Sequence, residues 1–104
     1  MFIAMNRFKI NDGFEEDFEN IWRERDSKLE EVPGFVEFHL LKGSKDEDAN
    51  ITLYASHTLW KTKDAFVAWT KSEHFRAAHK NAGDNGHIYS GHPNFEGFSF
   101  VEGV

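Results

Sequence analysis

The chain has 104 residues, 39% of them hydrophobic and 15% aromatic, with eleven Phe and three Trp; that length suits a single domain, residues 1–104, whose small core makes association an expectation. Eighteen acidic against twelve basic residues leave a formal charge of -6, opposite to what a phosphate backbone attracts, so nucleic acid is excluded as a partner. Without cysteine there are no disulfides, thiolate metal sites or iron-sulfur clusters, and without a signal-peptide pattern or a run of membrane-spanning length the chain reads as cytoplasmic, with no membrane partner.

Residues 2–10 alternate as a strand does. Phe2, Ala4, Asn6, Phe8 and Ile10 share the face expected to meet helices, and Ile3, Met5, Arg7 and Lys9 share the other. Asn11-Asp12-Gly13 supplies a turn and an N-cap, after which Phe14, Phe18, Ile21, Trp22 and Leu29 recur at helical spacing until Pro33-Gly34, a helix of about four turns. Phe35 to Lys42 reads as a second strand, 43–50 as an exposed charged loop, and Ile51 to Trp60 as a third strand. Thr62 can cap a helix carrying Phe66 and Trp69, and Ser72 a second one carrying Phe75, Ala78, His79 and Ala82, with a bend between them. Residues 83–94 form a Gly-rich loop able to act as a lid, and Phe95 to Glu102 is the last strand.

This order, βαβ followed by βαβ, is the ferredoxin-like α+β layout with a four-stranded antiparallel sheet. Helices cover one face of such a sheet, yet apolar residues fall on both: Val36, Phe38 and Leu40 against Phe35 and Leu41, and Phe98 and Phe100 against Val101. A homodimer packed sheet to sheet is therefore expected.

Three side chains are candidates for chemistry. Asn6 is a carboxamide on an apolar strand face, where leaving it unpaired costs roughly 1 to 3 kcal/mol; it bonds either to backbone or to something held between sheet and helices. His79 stands on or beside the inward stripe of its helix, with Ala77, Ala78 and Ala82 leaving room for a large flat ligand; the plainer reading is a hydrogen-bonded packing residue. Trp69 is core by position, and only the bend at Ser72 would let it share a cavity with His79. His39 and His57 read as structural, His74 as exposed, and His87 and His92 as loop residues, either solvated or touching a ligand. Glu15, Glu16, Asp17 and Glu19 suit the start and solvent face of a helix. No zinc, di-iron, dinucleotide, P-loop or elbow-serine motif is present.

Met1 to Phe8 (MFIAMNRF), Leu59 to Phe66 (LWKTKDAF) and Trp69 to Lys80 (WTKSEHFRAAHK) resemble the Isd-type, HmuQ-like haem-degrading monooxygenases of the antibiotic biosynthesis monooxygenase superfamily, over almost the whole chain. Pro33-Gly34-Phe35 and the A-F-x-x-W at 65–69 are shared widely there; Asn6 with W-x9-H at Trp69 and His79 is more selective. The resemblance implies a dimeric α+β barrel with one haem per subunit, lined by Asn6, Phe8, Trp69, Phe75 and His79. It makes His79 the iron ligand, Trp69 the residue that presses the porphyrin out of plane, and Asn6 the donor on the opposite side. It implies haem as substrate and cofactor, O2 and an external electron donor as co-reactants, and iron plus a biliverdin-type tetrapyrrole as products. Two other readings stay open: a cofactor-independent quinol or polyketide monooxygenase using His79 as a base, and a haem-storage protein without turnover.

Overall fold

The alternation at the start of the chain forms β1 (Phe2–Asn11) in the structure, a computed structural model that describes residues 1–25, 28–73, 75 and 86–104. Phe2, Ala4, Phe8 and Ile10 are buried on one side while Arg7 and Lys9 are exposed on the other, as the period-two pattern requires. Gly13 donates its backbone N–H to Glu15 Oε1 at 2.7 Å, and Phe14, rather than Asn11 or Asp12, holds the N-cap position of α1 (Glu15–Glu24).

Helix α1 is shorter than its apolar spacing predicts. After Ile21 and Trp22 the next positions on that stripe of the sequence are Arg25 and Asp26, so no apolar side chain anchors a further turn, and Arg25 turns extended at ψ 123°. Leu29 still reaches the core, from a single 3-10 turn (Leu29–Glu31). Gly34 then turns the chain at φ +86°, with an added Cβ blocked by Ala65, which explains why glycine stands there.

β2 (Phe35–Asp46) runs four residues beyond its predicted end at Lys42 and pairs with β3 (Ile51–Trp60), whose bounds are those expected. Asp46 Oδ1 accepts the N–H groups of Asp48 and Ala49 at 3.1 and 3.2 Å, closing the hairpin with a side-chain turn. A register shift between Phe35 and Glu37 corrects the expected facing of this strand. The extra residue brings Phe35 and Phe38 to the same side, both against the core, whereas simple alternation opposes them. α2 (Lys63–Thr70) starts as predicted, Thr62 Oγ1 accepting the Ala65 N–H at 3.1 Å. β4 (Asn94–Ser99) is shorter than expected and leaves Phe100 and Val101 exposed beyond it.

The sheet order β2-β3-β1-β4, antiparallel throughout, is the expected ferredoxin-like arrangement with helices on one face. Two apolar clusters fill the space beneath them: Phe2, Ala4, Leu29, Val32, Trp60 and Trp69, and separately Phe8, Ile10, Phe18, Tyr54 and Ile88. Residues 86–90 are tied to the far end of β1 by Ile88 in the second cluster and by Ser90 N–H donating to Lys9 O at 2.8 Å, so this part of the expected lid is packed down. The outer sheet face carries Ile3, Met5, Leu53 and Leu59, partly buried, and exposed Leu41 and Phe98.

Glu19, read from sequence as a solvent-face charge, is a structural acceptor instead. The hydroxyl of Tyr54, itself 1% exposed, donates to Glu19 Oε2 at 2.5 Å, and Arg23 and Lys42 lie at 3.0 and 3.5 Å from the same carboxylate. The Tyr54 hydrogen bond holds the Glu19 carboxyl below its ordinary value, while burial, then Glu19, pushes the Tyr54 phenol up. A carboxyl with a depressed folded-state pKa stabilises above its unfolded value and loses that contribution as pH falls through the depressed one. Tyr54→Phe is therefore expected to cost about 1 to 2 kcal/mol at neutral pH, the difference from wild type narrowing below about pH 4. Urea unfolding of both proteins across that range measures it.

Candidate functional site

Between the inner sheet face and the helices lies a cavity of about 450 Å³, within the roughly 300 to 1,000 Å³ usual for small-molecule sites. Its walls are aromatic: Trp22, Phe38, Phe66, Trp69, Phe75 and Phe95, with Leu29 and Ala4 between them. Trp22 stacks on Phe38 at 5.4 Å and 20°, and Phe66 on Phe95 at 5.6 Å and 6°, giving two flat panels.

The structure brings three of the predicted site residues to this cavity. Asn6, from the middle of β1, stands between Ser56 on β3 and Phe95 on β4 and forms part of the floor. Among the described residues its carboxamide has no hydrogen-bond partner, so of the two sequence readings the backbone-bonded one finds no support there. Trp69 and Phe75 share a wall, rings edge to face at 4.9 Å. The bend that permits this is visible at Ser72, whose hydroxyl donates to Trp69 O at 2.6 Å and accepts the Phe75 N–H at 3.2 Å. Trp69 is also core, 9% exposed and packed on Trp60 and Phe66 at 5.4 and 6.1 Å.

Phe8 does not line the cavity. It belongs to the neighbouring cluster, and among the described residues its edge contact with Trp22 at 5.9 Å links it to the site. His79 lies outside the described residues, as do His74, Ala77, Ala78 and Ala82. His87 sits against Phe14 at 5.4 Å, and neither it nor the exposed His92 is among the cavity's described walls; His39 and His57 pair across the outer sheet face. Among the described residues no three His, Cys, Asp or Glu side chains group together as a metal site, and no helix is long and apolar enough to cross a membrane.

The panel aromatics Trp22, Phe38, Phe66 and Phe95 were expected only as packing or strand residues, and the polar walls Arg25 and Ser56 were not singled out at all. Arg25, where α1 ends, lays its guanidinium over Trp22 at 4.1 Å, and burial lowers its pKa, though a guanidinium remains charged. No carboxylate among the described residues pairs with it. Ser56, 7% exposed, presents a hydroxyl beside Asn6. The end of a helix and a nonlocal strand register position these two, and neither has a local sequence signal.

Comparison with known proteins adds the family. The model for the antibiotic biosynthesis monooxygenase family matches residues 1–81. The chain belongs to that family. Within it, the chain is 35% identical over 81 residues, 78% of this chain and 75% of the relative, to the heme oxygenase (staphylobilin-producing) of Staphylococcus haemolyticus strain JCSC1435. Its fold matches that of the heme-degrader MhuD from Mycobacterium tuberculosis, solved with two hemes bound in its active site, at TM-score 0.71 and 25% identity, covering 100% of this chain and 99% of that one. A mutant of the cofactor-independent oxygenase SnoaB from Streptomyces nogalater matches at TM-score 0.70 and 18% identity, covering 99% of this chain and 95% of that one, a likeness of fold alone.

Proposed function

We propose that this family member is a haem-degrading monooxygenase that uses O2 and electrons from an external donor to open the porphyrin ring. The observation that carries the reading is the cavity: aromatic panels suited to a flat macrocycle flank a carboxamide with no partner among the described residues, and a half-buried cation stands at the wall. The likeness to a heme oxygenase and to a heme degrader supports it.

Haem is the substrate and supplies the redox chemistry, leaving the chain to bind, orient and exclude water. The panels of Trp22 with Phe38 and Phe66 with Phe95 grip the apolar porphyrin, and Arg25 answers its carboxylates. His79 would hold the iron through its imidazole, Trp69 would bear on the macrocycle, and the Asn6 N–H would hydrogen-bond a ligand beside it and so bias the meso position opened. Iron, a biliverdin-type open-chain tetrapyrrole and the excised meso carbon, as an oxidised one-carbon product, leave. The reading puts the protein in the cytoplasm as a homodimer, joined through the outer face around Leu41, Leu53, Leu59 and Phe98.

Haemin titration tests the substrate class. Wild type is expected to give a Soret shift saturating at one haemin per chain, and His79→Ala to lose the histidine-ligated spectrum while the aromatic walls still hold haemin more weakly. An identical spectrum in the variant would remove His79 from its role.

A further inference from the structure

The inner face of β3 carries a run of hydroxyls whose partners differ in a telling way. Tyr54 donates to Glu19, and Thr58 Oγ1 donates to Ala4 O at 3.1 Å, so both are satisfied within the protein. Ser56, between them, is 7% exposed and has no hydrogen-bond partner among the described residues. It lines the cavity directly across from Asn6, whose carboxamide is also unpartnered there. Asn6 is only partly buried, and neither its carboxamide nor the Ser56 hydroxyl is among the sealed-off unpaired polar atoms of the described residues, so both are open to the cavity space, where a ligand can reach them. Thr58 and Thr70, the other hydroxyls lining the cavity, bond to backbone carbonyls, so Ser56 and Asn6, side by side and open to the cavity, mark a place where a ligand completes the hydrogen bonding. Facing residues on neighbouring strands have Cβ atoms about 4.5 to 5.5 Å apart, close enough for both side chains to reach one water-sized ligand.

We propose that Ser56 and Asn6 form a two-point polar clamp that binds a small oxygen ligand or anion at the cavity floor, Ser56 donating O–H and Asn6 donating N–H. The proposal rests on the haem reading for its test, because haem would present such a ligand to the clamp. Ser56 thereby becomes a second residue determining where on the ring the ligand is aimed.

The ferric haemin complex provides the readout without turnover. Removing one donor to an anion is expected to lower fluoride affinity by roughly tenfold in Ser56→Ala and to raise the midpoint of the acid to alkaline spectral transition by about one pH unit. Ser56→Thr, which keeps the hydroxyl, is expected to restore both. Fluoride affinity and midpoint equal to wild type in Ser56→Ala, with haemin still bound, would overturn the clamp and leave the haem reading standing. Failure of wild type to bind haemin would overturn both.

Discussion

Asn6→Ala is expected to leave folding stability within about 0.5 kcal/mol of wild type while slowing haem turnover by roughly tenfold to a hundredfold. The two halves of that result come from one observation. An asparagine satisfied by backbone would leave a buried partner orphaned when truncated, at a cost of about 1 to 3 kcal/mol. No such partner exists among the described residues, and the carboxamide faces the cavity beside Ser56 and Phe95. Its removal therefore takes nothing from the fold and a donor from the site. Chemical denaturation and single-turnover absorbance of the haemin complex separate the effects. A large loss of stability with unchanged turnover would return Asn6 to a structural role.

Trp69→Ala is expected to act in the opposite sense, costing about 3 to 5 kcal/mol. The indole packs on Trp60, Phe66 and Phe75 at 5.4, 6.1 and 4.9 Å and closes one wall of the cavity, so truncation both opens a void and unseats its neighbours. In a domain whose total stability is about 5 to 15 kcal/mol this is roughly a fifth or more of the whole. The melting temperature should fall by more than about 10 °C. Trp69→Phe keeps most of the packing and isolates the functional part: haemin should bind, with a spectrum closer to that of a planar porphyrin. A melt unchanged by Trp69→Ala would contradict the packing described.

How far each residue could be read from sequence followed the range of the interaction that places it. The bounds of β3, the Thr62 cap and the inward face of β1 are set by local alternation and by a side chain reaching three residues along, and all were legible. The break at Ser72 was legible for the same reason. The early end of α1 lay in the sequence too, at Arg25 and Asp26, whereas the register shift after Phe35 and the pairing of Ser56 with Asn6 depend on strands distant in sequence. Periodicity could not foresee them. Of the site, Asn6 announced itself as a polar group on an apolar face, whereas Arg25 and Ser56 became visible only once the fold brought them to the cavity.

Aerobic incubation of the purified protein with one equivalent of haemin and a reductant, followed by absorbance, iron release and product mass, decides whether the protein degrades haem. A bound Soret band is expected to decay as iron appears, with an open-chain tetrapyrrole formed whose mass distinguishes a biliverdin-type from a staphylobilin-type product. A Soret band that forms and persists without free iron would contradict the enzyme and leave a haem-storage protein. No Soret shift at all would contradict the haem site itself and favour a cofactor-independent oxygenase.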